Sequence, residues 1–450
     1  MSYGLGTFML SSLLPFFLHT VSALNVPPSF ENVAVVRTIE LGGSSVHVTT
    51  SISARSLANN NAKYFFVLSK EQDDLTKWIE ARPFVYYSVN IPDTLGVNET
   101  ITLLVNTIEA HATTPLPATA KQTGAYVLSP YASLSQRTKL RSPSPTIHSY
   151  SEPSSLSSYA SNVPVTKSGA VVTYGPFQNI PPSADKAFFN NVQEIVKIHY
   201  VYDQPILTVS SLRRTAEISH WGDNLNIQDD IKLLNDGARL EGQFSRIDYQ
   251  RQNFFQKGGS SILPGFTIQL PAGARDPYFT DIVGNVSTSR FRPAPPKSNG
   301  KGASDRNSIL EVKPRYPLIG GWNYTFRLGW DAPLGESTLY IAAIPFFTHI
   351  PGSVVDDAEV KIILPEGATD SNVYVPFAVD ELYRGTHGRP SIILKKRGLT
   401  VKHTGLIYVS YSLSLTAHLN KVAAVASASF ILFAIGLVLR RTDTTIHRSI

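Results

Sequence analysis

The side chains here that could do chemistry are few and can be named. His220 stands beside Trp221, carboxylates adjoin at Asp229-Asp230 and again in Asp356-Asp357-Ala358-Glu359, and Asn98, Asn285 and Asn323 each precede a hydroxyl by two residues. A histidine next to an aromatic, with no partner placed by the sequence, reads as a structural hydrogen-bonding residue rather than a general base. Adjacent carboxylates on a strand point to opposite faces, so neither acidic run converges the oxygens that a divalent cation needs. Solvated turns and strand ends are the expected places for both runs.

The signatures of hydrolytic, phosphoryl-transfer and metallopeptidase chemistry are missing. G-x-S-x-G, H-E-x-x-H, G-x-x-x-x-G-K-[ST] and D-x-D do not occur, and no two of the 11 histidines lie at helical metal spacing. With 0 cysteines there is no thiolate nucleophile, Cys-ligated zinc or iron–sulfur cluster, and no disulfide to replace burial as the source of stability. No catalytic, cofactor-binding or metal residue is assigned. The net charge of +6 is scattered, without five like charges in a row, which argues for a solvated surface and against a nucleic-acid footprint.

The elements that must carry these residues are mainly β. A chain of 450 residues with 42% hydrophobic residues exceeds what one core usually organises, so two domains are expected. Alternation on both sides of Gly42-Gly43 predicts a β-hairpin. Residues 64–68, 85–89, 101–108, 194–202, 206–212, 323–330, 338–343, 360–364 and 406–413 are further strand candidates, and 73–80 a short helical turn. Residues 142–164, rich in Ser and Pro, and 293–305, rich in Pro and Gly, are expected to be exposed loops. Leu225, Ile227, Ile231 and Leu233 repeat Val33, Val35, Ile39 and Leu41 at an offset of 192 residues, each set ahead of a turn, which suggests two related β domains or two unrelated hairpins.

Both ends carry targeting signals. Residues 8–21 are largely apolar and Val21-Ser22-Ala23 places small residues for signal peptidase, so cleavage is expected between Ala23 and Leu24. Residues 422–439 hold no charge, span about 27 Å as a helix, and are followed by Arg440-Arg441. That predicts a transmembrane helix with the C-terminus in the cytosol. Its small residues Ala423, Ala424, Ser427 and Ala428 pair as small-x-x-x-small, which would let another helix approach closely. On the lumenal side of such a protein, Asn98-Glu99-Thr100, Asn285-Val286-Ser287 and Asn323-Tyr324-Thr325 are N-glycosylation acceptors.

A set of ordered blocks is more specific than any of these motifs. It comprises Phe30-Glu31-Asn32, Val36-Arg37-Thr38-Ile39, Tyr174-Gly175-Pro176-Phe177, Glu217-Ile218-Ser219-His220-Trp221-Gly222, Phe244-Ser245-Arg246 and Asp248-Tyr249-Gln250-Arg251-Gln252. Gly284-Asn285-Val286-Ser287-Thr288-Ser289, Pro314-Arg315-Tyr316-Pro317-Leu318-Ile319-Gly320-Gly321-Trp322 and Val360-Lys361-Ile362-Ile363-Leu364-Pro365-Glu366-Gly367 complete it. In order and wording they resemble the ribophorin I family, a lumenal non-catalytic subunit of the oligosaccharyltransferase complex. The short tail after the helix looks like the fungal form, since animal members continue into a cytosolic region.

The resemblance implies a non-catalytic accessory subunit that supports N-linked glycosylation, without cofactor, beside a multi-spanning catalytic subunit, smaller membrane subunits and nascent polypeptides. The expected organisation is a signal peptide (1–23), two tandem sandwich-like lumenal β domains (24–213 and 214–417), a transmembrane helix (422–439) and a cytosolic tail (440–450) in the endoplasmic-reticulum membrane. A lumenal hydrolase with an unrecognised site and a type I adhesion ectodomain are the alternatives that the residues alone leave open.

Overall fold

The structure is a computed structural model that describes residues 28–59, 61–69, 84–115, 120–122, 131–160, 164–182, 196–219, 223–240, 242–255, 261–295, 306–334, 341–385, 389–413 and 415–441. The signal peptide, the helical turn expected at 73–80, His220 with Trp221, and most of the 293–305 loop lie outside those residues.

The first part of the chain runs through β1 (Phe30–Glu40), β2 (Ser45–Ser56), β3 (Asn61–Ser69), β4 (Phe84–Leu95), β5 (Thr100–Ala110), β6 (Ala120–Gln122), β7 (Ser133–Arg141), β8 (Ile147–Tyr150), β9 (Val165–Ser168), β10 (Val171–Ile180) and β11 (Val196–Tyr200). The second part begins with β12 (Leu207–Ser219), β13 (Asn224–Asn235) and helix α1 (Arg246–Phe255), followed by β14 (Phe266–Leu270), β15 (Arg275–Asp281), β16 (Gly284–Asn285), β17 (Arg290–Arg292) and β18 (Ser308–Val312). It ends with β19 (Asn323–Pro333), β20 (Ile341–Pro345), β21 (Ser353–Ile363), β22 (Ala368–Tyr374), β23 (Glu381–Gly385), β24 (Ser391–Leu399), β25 (Leu406–Leu413) and helix α2 (Leu415–Arg441).

The two parts are one topology used twice. The first forms a sheet of order β5-β2-β1-β7-β10-β9 and a small sheet β6-β11-β8. The second contains the run β19-β13-β12-β21-β24-β23 within its larger sheet and a small sheet β20-β25-β22. Chain order and strand direction correspond throughout, down to a parallel pairing at the centre of each large sheet, β1 with β7 and β12 with β21, among antiparallel neighbours. In the first unit Ile39, Leu140 and Val172 from the large sheet share a core with Ile147, Val196 and Ile198 from the small one, as in a sandwich. The second core joins Ile227, Trp330 and Val360 to Ile344, Ile407 and Val409 in the same way. Each unit also carries an insertion between the second and third strands that it contributes to the shared sheet order: the β3–β4 hairpin between β2 and β5, and α1 with the β14-β18-β17 sheet between β13 and β19.

The structure corrects the residues assigned to the repeat. Both central hairpins carry a bulge, at Val33 in β1 and at Ser210 in β12, where the register against the partner strand slips. Superposing the bulges sets Arg37 on Arg214, an offset of 177 residues, and aligns Arg37-Thr38-Ile39-Glu40-Leu41 with Arg214-Thr215-Ala216-Glu217-Ile218. The 192-residue offset matched β1 to β13, the wrong strand of the second hairpin, because any inward-facing row of aliphatics looks alike. β12 also runs unbroken through position 213, so residues 206–212 open the second unit instead of closing the first.

Within the 142–164 segment, the described residues 142–160 differ from the expected exposed loop. Ile147–Tyr150 is a strand paired with β11, and Leu156, at 1% exposure, seals the first core. Few apolar residues suffice there because surrounding elements supply the rest of the buried surface. Asp229 differs too: it occupies the inward row of β13 between Ile227 and Ile231 and is fully buried, whereas Asp230 faces out to Arg327.

Helix α2 starts two residues after β25 ends, and Val422–Arg441 has a mean hydropathy of 2.5, sufficient to cross a membrane. The two units touch through Ser44 Oγ donating to the Gly352 carbonyl at 2.6 Å, His111 Nε2 at 2.7 Å from Asp356 Oδ1, and Lys402 Nζ donating to the Asn106 carbonyl at 2.6 Å.

Candidate functional site

Four of the sequence blocks, those holding Phe244, Tyr249, Asn285 and Tyr316, meet at one end of the second large sheet. The segment 314–322 enters β19 there, packed against the turn that leaves β13. Asn235 organises it: its Nδ2 donates to the carbonyls of Ser261 and Leu318, its backbone N to the Trp322 carbonyl, and its own carbonyl accepts from Gly321 N. The glycine pair is required by space and backbone. A Cβ on Gly320 would lie 1.9 Å from the Ala238 carbonyl oxygen, and Gly321 has φ +81°.

Arg315 and Asp281 join this segment to the β15–β16 turn. Asp281, with a side chain 2% exposed, accepts from Arg315 Nε at 2.5 Å, Tyr324 Oη at 3.1 Å, and the backbone N of Val283 and Gly284 at 2.9 and 3.1 Å. Burial alone would raise this carboxyl; the four donors outweigh it and hold Asp281 below the usual carboxylate range. Burial, then the Asp281 charge, pushes the Tyr324 hydroxyl far above its ordinary value. Arg315 Nη2 also donates to the carbonyls of Gly284 and Asn285, at 3.2 and 2.9 Å, and Thr288 Oγ1 to Lys313 at 2.5 Å. An acid so fully engaged has no lone pair left for proton transfer.

Aromatic rings cover the same end. Phe244 lies 5.6 Å from Trp322 and 5.8 Å from Tyr249 of α1; Tyr316 lies 5.9 Å from Trp322 and 5.4 Å from Tyr324, edge to face in both cases. Between them is an open recess of about 340 Å³ lined by Tyr316, Gly321, Trp322 and Asn323. The arrangement can bind; it offers apolar ring faces and an amide, with no poised nucleophile or base among the described residues that line it.

Two further blocks, 217–222 and 360–367, meet at the opposite end of the sheet through Glu217 and Ile363. Glu217 stands beside Ile363 across the parallel β12–β21 pair, and Arg389 closes the corner, donating to the Leu364 carbonyl at 3.0 Å and the Ile218 carbonyl at 2.8 Å while pairing with Glu217. The chain continues from this block into Ala368, which pairs with Leu413 just ahead of α2, so this end of the sheet adjoins α2.

The remaining sequence candidates stay apart. Asp229 pairs with Arg214, Asp356 with His111, and β12 separates the two acidic runs, with no metal-ligating group of three among the described residues. Asn98 sits in a turn at φ 65°, and Asn98, Asn285 and Asn323 are all exposed. Ala423, Ala424, Ser427 and Ala428 are exposed along α2. Sequence reasoning missed Asp281 and Arg389 as organising residues; Arg315 and Tyr316 lay within a quoted block, but nothing local marked their partners.

A family model described as Ribophorin I matches residues 30–440, covering both units and nearly all of α2. Among relatives, dolichyl-diphosphooligosaccharide–protein glycosyltransferase subunit 1 of Caenorhabditis elegans is 28% identical over 474 aligned positions, covering 96% of this chain and 76% of that protein. Subunit 1B of Arabidopsis thaliana is 31% identical over 385 positions, covering 81% and 76%. Among solved structures, an M1 zinc metallopeptidase from Deinococcus radiodurans aligns with a TM-score of 0.27 at 11% identity, over 46% of this chain and 42% of that one, a likeness too remote to bear on fold or activity.

Proposed function

Because this chain belongs to the ribophorin I family, we propose that it is an accessory subunit of the oligosaccharyltransferase complex and supports N-linked glycosylation without performing the transfer. The observation that carries the reading is the family match itself, which spans both β units and continues into the membrane helix.

The non-catalytic part rests on how the buried acids are used. Transfer to asparagine needs a centre prepared to stabilise a departing diphosphate. Asp229 is spent on Arg214 and Asp281 on four donors, so each contributes to architecture. The partners are the multi-spanning catalytic subunit, small membrane subunits and nascent polypeptides. In this reading the chain is a single-pass type I protein of the endoplasmic-reticulum membrane. Both β units lie in the lumen, cleavage falls between Ala23 and Leu24, and Asn98, Asn285 and Asn323 are glycan acceptors. Ala423, Ala424, Ser427 and Ala428 pack against a partner helix.

Depletion and rescue test this. Removing the protein should lower sequon occupancy on other glycoproteins, and re-expression should restore it. Purification in mild detergent should recover the catalytic subunit; failure to recover it, with occupancy unchanged on depletion, would defeat the reading.

A further inference from the structure

The recess at the membrane-distal end of the second unit contains a sequon in its own wall. β19 starts at Asn323, and its alternation exposes Asn323 and Thr325 while burying Tyr324, so the amide and the hydroxyl of Asn323-Tyr324-Thr325 stand on one face. Beside that amide, Tyr316 is 39% exposed and Trp322 is half-buried. The wall is held in place: Tyr316 Oη donates to the Asn323 carbonyl at 3.2 Å, and Phe244 backs the Trp322 ring at 5.6 Å.

We propose that this recess seats the first sugars of an N-linked glycan on Asn323, folded back over Tyr316 and Trp322. The proposal rests on the lumenal placement given above. A pyranose ring has an apolar C–H face that stacks on aromatic rings and a polar rim of hydroxyl and acetamido groups, which suits amphipathic Trp and Tyr walls. Tethering decides the occupant. A sugar attached at Asn323 acts at an effective concentration in the roughly millimolar range, so it fills the recess ahead of any free oligosaccharide of weak affinity. Asn98 and Asn285 do not line the recess: the first is on a turn before β5, and the second is on β16 beside the exposed Ile282 and Val283.

The test uses the full-length protein in its purified complex. Glycopeptide mapping should find glycan at Asn323. In the native protein, endoglycosidase should release it roughly tenfold more slowly than the glycan on Asn98 or Asn285, the factor a stacked contact can supply. Tyr316→Ala and Trp322→Leu keep the sequon; each should leave Asn323 occupied and bring its release to the rate of the other sites. Thr325→Ala leaves the aromatic walls intact but removes the acceptor, and should shift tryptophan emission to longer wavelength as the recess fills with water. If Trp322→Leu fails to fold, Tyr316→Ala and Thr325→Ala still decide. An empty Asn323 with Asn98 or Asn285 occupied would overturn the proposal and leave the lumenal reading standing. All three empty would overturn both. An occupied Asn323 whose release matches the other sites in the wild type would show that the sugar projects into solvent, and would also overturn it.

Discussion

Arg214 of β12 and Asp229 of β13 face each other across the central hairpin of the second unit, with Nε and Nη2 each 2.6 Å from a carboxylate oxygen and both side chains fully buried. Arg214 Nη1 also donates to the Pro345 carbonyl at 2.7 Å and Nη2 to Thr348, which ties the end of β20 and the segment after it to the large sheet. Such a pair stabilises little relative to a hydrophobic replacement, but removing one member strands a buried charge.

Asp229→Ala should therefore destabilise the protein by roughly 3–5 kcal/mol, and Arg214→Met with Asp229→Leu should recover most of that. Chemical unfolding of the single and double variants checks the difference. In complexes that still assemble, Asp229→Ala, Asp356→Ala and His220→Ala should leave oligosaccharide transfer within a few fold, whereas loss of a catalytic group would cost on the order of a thousandfold.

Asp281 should confer a pH dependence of definite sign. Its folded pKa lies below the unfolded value of about 3.9, so its stabilisation is complete above that value and is lost as pH falls through the folded pKa. Asp281→Asn should be less stable than wild type at pH 7, with the gap narrowing below about pH 4. Urea midpoints at pH 7, 4 and 3 measure it; a gap that stays constant would show that the carboxylate charge is not what Arg315 and Tyr324 hold.

The small residues of α2 should matter for association and not for insertion. Ala424 and Ala428 lie one turn apart on one face. Ala424→Leu with Ala428→Leu should reduce recovery of the membrane subunits on co-purification while membrane extraction behaviour stays the same. Unchanged recovery would make α2 an anchor alone.

Cleavage after Ala23 should leave Leu24 as the mature N-terminus. Edman sequencing or intact mass of the purified protein reads this directly. An intact Met1 would overturn the type I topology.

What the sequence determined by itself is what depends on neighbours in the chain. The hairpin around Gly42-Gly43 is there with Glu40 opposite His47, the alternating segments are strands, and an uncharged run became a helix, because turn chemistry, period-two burial and helix hydropathy are local. The family blocks were legible as words. What they were for was not: Arg315 reaches Asp281 across 34 residues and Arg389 reaches Glu217 across 172, and no local pattern records either contact. The repeat shows the same limit in another form. Its real marker, Arg-Thr-x-Glu followed by an aliphatic, was present in both units, yet aliphatic alternation pointed to the wrong strand. Only the tertiary structure decided it, because β1 and β12 are distinguished by their parallel partners, β7 and β21, about a hundred residues or more along the chain. Inward-facing rows of aliphatics are chemically interchangeable; long-range pairing is what gives each its place.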